Sequence, residues 1–341
     1  MKKLIIIILV FVYSNVLNAQ LFRTTSKVGT TAAQFLKIGT DARSLALGSG
    51  AVALEGNISS LFWNPSGIAS IKSNGSAMVT HSEWLAEINY NYASAILNLN
   101  EIGVIGLSFT SLGVPEEIVR TETNPQGDGR RWNANSFSLG VSFARSLTDK
   151  FSIGGTFKYI HEGIWNEKAN GVAVDVGTIY TTDLNNLKIG ASISNFGTKM
   201  QLIGTDINFT TNPNGEEDQG AQNINTQYQT DKFDLPLTFR VGISADAFKN
   251  EMFRTTFVLD AVHPNDNLEY LNLGGEFSYE ETFFIRAGKK KEFLDETEQG
   301  FTFGLGFQLP ISSTTITKLD YAFADYGRLE NVQYVTLVIE F

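Results

Sequence analysis

The chain has 341 residues and a formal charge of −10, room for one large barrel or two soluble domains, and its acidic balance argues against a nucleic-acid partner. It contains no Cys, which excludes a disulfide framework and thiolate chemistry. With 31 Gly, 25 Phe and 11 Tyr against an 18% charged fraction, it is rich in aromatics yet near zero in mean hydropathy, as expected when lipid-facing and water-facing residues alternate along strands.

At the start of the chain, Lys2 and Lys3 precede an apolar run from Leu4 to Val12, and Leu17, Asn18 and Ala19 set a small residue before Gln20. This pattern predicts a signal peptide over residues 1–19, with export and cleavage after Ala19. The run is short for a bilayer span and no second apolar segment follows, so a membrane location has to come from strands.

Residues 20–75 lack long alternating runs. They carry small residues, Gly turns and a compact stretch from Asn57 to Gly67. Asn57 is placed to cap a short helix, which has to stop before Pro65 because the residue preceding a proline is driven out of the helical region. The segment reads as a folded N-terminal hatch. Gly48, Ser49, Gly50, Ala51, Val52 and Ala53 match the letter of a dinucleotide-binding turn. No βαβ unit follows, so a plain Gly-rich turn is the stronger reading.

From about Ser76 the period of the sequence becomes two and stays there. Strands are predicted at 76–81, 88–99, 101–111, 134–147, 151–163, 171–182, 187–197, 235–247, 253–263, 269–279, 282–289, 300–309, 314–325 and 332–341. In one, Phe301, Phe303, Leu305, Phe307 and Leu309 oppose Thr302, Gly304, Gly306 and Gln308; in another, Val172, Val174 and Val176 oppose Ala173, Asp175 and Gly177. The last strand puts Val335, Leu337, Ile339 and Phe341 on one face and ends on an aromatic, the signature of a strand that closes an outer-membrane barrel. The expected fold is all-β: a 14-stranded antiparallel transmembrane barrel over residues 76–341. Joins alternate between long (112–133, 198–234, 290–299) and short (100–101, 148–150, 280–281), which places the short turns on the side where both termini are expected. A soluble β-sandwich has no reason to sort its loops this way.

Chemistry-bearing residues are sparse. His81, His161 and His263 are the three histidines, and none sits at metal-ligand spacing or beside a nucleophile elbow. A barrel can bring Ser and His together across strands, but the sequence nominates no triad, so no enzyme, metal or cofactor is expected. Lys158, Asp175, Arg240, Arg254, Asp260, Glu276, Arg286, Lys318 and Asp320 fall on strand faces opposite the large apolar residues. Facing lipid, each Lys or Arg would cost about 2–4 kcal/mol at the midplane, so these side chains are assigned to the lumen. There they either hold the hatch or contact a carboxylate-bearing ligand, or else form a salt-bridge lattice that merely fills the barrel; the lattice is the favoured reading. The loop 198–234 lacks EF-hand spacing and reads as solvated. Lys289, Lys290 and Lys291 read as a basic collar at the outer rim, and the Asn-x-Ser/Thr triplets at Asn57, Asn74 and Asn208 carry little weight in a bacterial export product.

The stretch Phe35, Leu36, Lys37, Ile38, Gly39, followed by Asp41, Ala42, Arg43, then Gly48, then Trp63, Asn64, Pro65, Ser66 and Gly67, resembles the N-terminal signature of the PorV/PorQ family. These are outer-membrane proteins of Bacteroidetes-type bacteria, related in fold to the fatty-acid transporter FadL. Asp41 to Arg43 and Trp63 to Pro65 are closer to the PorV form. The resemblance implies a FadL-like barrel plugged by the hatch, with Asp41, Arg43, Gly48, Trp63, Asn64 and Pro65 as its motif. It also implies work in type IX secretion, where such barrels receive cargo from the translocon and carry it to the surface attachment complex. The expected partners are outer-membrane lipid and secretion components or cargo chains. The alternative it leaves open is passive passage of a hydrophobic small molecule, a fatty acid or hydrocarbon.

Overall fold

The computed structural model describes residues 26–184, 187–212, 224–294 and 297–341. The predicted signal peptide lies outside the described residues, as does the middle of the 198–234 loop. Alternation gives each strand one oily and one small or polar face, and a sheet of such strands in lipid lowers its energy by curling until no backbone edge is left unpaired. Fourteen strands do this: β1 (Gly75–Glu83), β2 (Asn89–Asn98), β3 (Val104–Ile118), β4 (Arg131–Thr148), β5 (Phe151–Ile164), β6 (Glu167–Thr181), β7 (Lys188–Gly197), β8 (Thr238–Lys249), β9 (Phe253–Pro264), β10 (Tyr270–Tyr279), β11 (Phe283–Glu292), β12 (Phe301–Pro310), β13 (Ile316–Asp325) and β14 (Asn331–Glu340). Each pairs antiparallel with its sequence neighbours. The ring closes where β1 meets β14, in register from Ser76 opposite Glu340 to Glu83 opposite Gln333. Beyond the last strand, Phe341 and Gly75 exchange backbone hydrogen bonds of 2.9 and 3.0 Å.

The two faces are those expected. Phe301, Phe303, Leu305, Val335, Leu337 and Ile339 are exposed on the outside, whereas Thr302, Tyr334, Thr336 and Val338 are buried within. All fourteen predicted strands are present, with ends moved by up to seven residues, the largest shift being the outer end of β3 from 111 to 118. β3 begins at Val104, not residue 101, because Asn100–Ile102 forms a 3-10 turn with Asn100 at φ 56°.

Two expectations need correction. The joins do not alternate strictly, since β5 and β6 run on as a hairpin to the pair Ile164 and Glu167. Trp165 and Asn166 are thus a two-residue outer turn, shorter than the inner join 182–187. Nor do both described ends of the chain lie on the inner side. Phe341 does, but Ser26 Oγ donates to Asn267 Oδ1 at 3.3 Å and the Ala32 N–H donates to the Asp234 carbonyl at 2.9 Å, both among the outer joins. From there the segment runs down through the lumen to enter β1 at the inner end.

Inside, Leu45, Ile58, Leu61 and Ile68 pack with Met78, Tyr90, Ile96, Val104 and Tyr334 of the wall. Each of those aliphatic side chains contributes about 1.5–3 kcal/mol by leaving water.

Candidate functional site in the barrel lumen

The motif residues of the N-terminal segment hold its short turns together. Asp41 has extended backbone and caps the helix Ala42–Ala46: its Oδ2 accepts the Ser44 N–H at 2.8 Å while its Oδ1 accepts the Trp63 indole N–H at 2.7 Å. One carboxylate thus joins two elements 22 residues apart. Asn57 Oδ1 accepts the Ser60 N–H at 3.2 Å and so closes the turn that leads into the helix Ser60–Trp63, although the residue at the N-cap itself is Ser59, whose side chain makes no cap bond; that helix stops at Asn64. Asn64 Oδ1 then accepts the Ser66 N–H at 3.2 Å, and Pro65 occupies the first position of the next 3-10 helix, where a missing N–H has no consequence. Asn64 Nδ2 donates to the carbonyls of Val52 at 2.7 Å and, on β6, Thr178 at 3.1 Å.

The wall meets this segment with glycines. Gly154, Gly177, Gly190, Gly274 and Gly288 face inward on five strands, and a Cβ on any of them would run into Pro65, Asn64, Val52 or the Leu47 to Gly48 backbone. At Gly154 it would sit 2.6 Å from the Pro65 carbonyl carbon. Gly48 is pressed equally closely on the backbone of β10 and β11, and its φ of 66° lies in the left-handed region that favours glycine. Polar ties complete the contact. Asp260 Oδ2 accepts the N–H groups of Ala51 at 2.7 Å and Val52 at 2.9 Å, and the Ala42 N–H donates to Thr336 Oγ1 at 2.9 Å. The Gly48 to Ala53 turn therefore packs on strands, with no βαβ surroundings.

The structure places all nine ionisable residues on the inward face. Glu276 is the centre of one group: it accepts from Arg43 at 2.9 and 3.0 Å, from Arg286 at 2.7 Å and from Arg254 at 3.0 Å. Arg286 also reaches Asp320 at 2.5 Å, and Arg254 reaches Glu281 at 2.6 Å. Three guanidinium groups face three carboxylates, which balances the cluster. Separately, Lys158 pairs with Asp175 at 2.6 Å and Lys318 with Glu340 at 2.6 Å. The Arg240 guanidinium lies 5.7 Å over the Trp63 ring. Glu276, Asp260 and Arg240 touch the N-terminal segment; Lys158, Asp175, Arg254, Arg286, Lys318 and Asp320 tie wall to wall.

Of the inward glycines only Gly177 is named in the sequence pattern, as part of one strand's small-residue face, and the position of the others on the same kind of face is the signal that could have found them. The three histidines stay apart: His81 and His161 bond to Asn91 and Asn170, each at 2.8 Å, and His263 to Glu269 at 2.7 Å. Among the described residues no group of three or more His, Asp or Glu is placed to hold a metal ion. The basic collar is corrected: Lys289 lies 5.5 Å over the Phe301 ring, but Lys290 and Lys291 line a cavity inside the lumen.

A family model described as type IX secretion system protein PorV matches residues 22–225. No curated protein matches by sequence. Among solved structures, the CymD monoaromatic hydrocarbon channel superposes with a TM-score of 0.54 at 11% identity, over 89% of this chain and 98% of that one. The Ralstonia pickettii toluene transporter TbuX gives 0.55 at 13%, over 88% and 97%. A Pseudomonas aeruginosa FadL homologue gives 0.52 at 9%, over 89% and 98%. At such identities the likeness is one of fold.

Proposed function

The chain belongs to the PorV family, and from that premise we propose that it serves type IX secretion as a barrel whose lumen stays shut, engaging secretion components or cargo chains through its outer joins and rim. It is an outer-membrane β-barrel of FadL-like fold. The observation that carries the reading is the way residues 31–71 are held: backbone laid directly on wall glycines, with Arg43 and the Ala51 to Val52 amides pinned to Glu276 and Asp260. A hatch built like this is a fixture, and a partner has to be met on the surface. No covalent chemistry is assigned to it.

A second reading, passage of a hydrophobic small molecule, is favoured by the fold shared with the hydrocarbon channels and requires the hatch to move. One experiment separates the two. A Cβ on Gly50 would lie 3.6 Å from Cβ of Val258, within the range a disulfide spans, so Gly50→Cys with Val258→Cys locks the hatch to β9. Cells carrying the oxidised variant are expected to display type IX cargo as the wild type does, and deletion of the gene to abolish display. Loss of display on oxidation, restored by reductant, would overturn the proposal and favour a moving hatch.

A further inference from the structure

Strand alternation allows one inward side chain in every two, yet near the outer end of β11 two successive lysines line the lumen. The cause is a β-bulge. Pairing of β10 with β11 slips between Leu273 opposite Lys289 and Leu271 opposite Glu292, so Lys290 and Lys291 together face Asn272. Lys291 takes a left-handed φ of 54°, a conformation that costs a side-chain-bearing residue about 1–3 kcal/mol. Bulges of this kind re-aim side chains beside sites. Here the bulge is held from within, because the Lys291 N–H donates to Asn272 Oδ1 at 3.0 Å and Asn272 Nδ2 donates to the Ser49 carbonyl at 3.3 Å.

Both lysines open onto a cavity of about 400 Å³ between the hatch and the outer joins. Arg240 and Lys37 add to its positive charge, and the rings of Phe35, Trp84, Tyr270 and Tyr326 wall it. Two carboxylates act on these groups, and both are already engaged: Asp260 by the Ala51 and Val52 amides, and Asp266 by Lys37 at 2.7 Å, Gln34 and Thr31. Among the described residues, Arg240, Lys290 and Lys291 form no ion pair. Lys291 lies 5.8 Å over the Tyr270 ring, whose face is its aromatic neighbour in the cavity. An unpaired buried amine either gives up its proton or gains a counter-charge, and a cavity walled by aromatic rings suits a counter-charge carried on an apolar body.

We propose that this cavity binds a compact organic anion, one carboxylate or sulfonate on an aromatic or alicyclic body, with Lys290, Lys291 and Arg240 holding the anionic group. The site stands whatever the role in secretion, since it is read on the purified barrel. Calorimetric titration with 2-naphthoate and 2-naphthalenesulfonate, in non-ionic detergent, tests it. Saturable binding of one anion per barrel is expected, with the neutral 2-naphthamide weaker by about tenfold or more. Lys290→Gln with Lys291→Gln is expected to weaken 2-naphthoate by about tenfold or more, Lys289→Gln to leave it unchanged, and the paired change to Arg to retain it. No saturable binding of either anion, equal binding of the amide, or wild-type affinity in the folded double Gln variant would each overturn the proposal. Inorganic phosphate binding as tightly as 2-naphthoate would overturn the apolar half of it. If the double Gln variant does not show the heat-modifiable migration of a folded barrel, the ratio of 2-naphthoate to 2-naphthamide affinity on the wild type decides.

Discussion

Glu276 is the residue whose removal should cost most. Its carboxylate accepts hydrogen bonds from Arg43, Arg254 and Arg286, and its side chain is 1% exposed. In Glu276→Ala, Arg254 keeps Glu281 and Arg286 keeps Asp320, but Arg43 loses its only ion-pair partner among the described residues. Breaking a buried pair from one side costs about 3–5 kcal/mol. Arg43→Ala is different, because Glu276 keeps two guanidinium groups. A charged hydrogen-bonded contact is worth about 1.5–3 kcal/mol, and the 26% exposure of the Arg43 side chain sets this one near the lower end. Backbone hydrogen exchange over residues 41–48 should thus speed up about tenfold in Arg43→Ala and roughly a hundredfold or more in Glu276→Ala. The double variant should exchange little faster than Glu276→Ala alone. If Arg43→Ala loosens the segment as much as Glu276→Ala does, or the two effects simply add, the three-arginine geometry is not what holds the hatch.

Three further outcomes follow from the contacts. A Cβ at Gly274 would sit 2.7 Å from the Leu47 carbonyl carbon, so Gly274→Ala is expected to cost about 1–3 kcal/mol and to expose residues 47–50 to protease, whereas unchanged digestion would mean the backbones are not in contact. Lys158→Met strands Asp175 and should lower the urea midpoint by the equivalent of about 3–5 kcal/mol; adding Asp175→Leu should recover most of that, and no recovery would argue against the pair. At the outer join 265–269, burial pushes the Asp266 carboxyl up, but hydrogen bonds from Lys37 and Gln34 and the Lys37 charge outweigh it and hold it below its ordinary 3.8. The stabilisation is full above the unfolded value near 4 and is lost as pH falls through the lower folded value. Exchange over residues 31–37, corrected for intrinsic rate, should therefore rise below about pH 4 in the wild type and be fast at every pH in Asp266→Asn.

The barrel was legible because its cause is local: lipid on one side and water on the other impose a period of two that any ten residues display. The turn at Asn57 and the stop before Pro65 in the N-terminal segment were legible for the same reason, since Asn57 reaches only to Ser60 and Pro65 acts on its own neighbour. What escaped depends on partners far away in sequence. The inward glycines are small because Leu47, Val52 or Pro65 lies on them, and nothing near Gly154 or Gly274 announces that. Lys290 and Lys291 both turn inward because of a slip in pairing with β10, held by Asn272, which no pattern within β11 contains. The two-residue outer turn at Trp165 and Asn166 likewise comes from β5 and β6 continuing to pair past the lipid-spanning part.

Whether the lumen is shut is decided most directly by conductance of the purified wild-type barrel in a planar bilayer. No stable open-channel steps are expected from the intact chain, and steps are expected once residues 20–71 are removed. A steady, voltage-independent current through the unmodified protein would contradict the closed hatch and the role built on it.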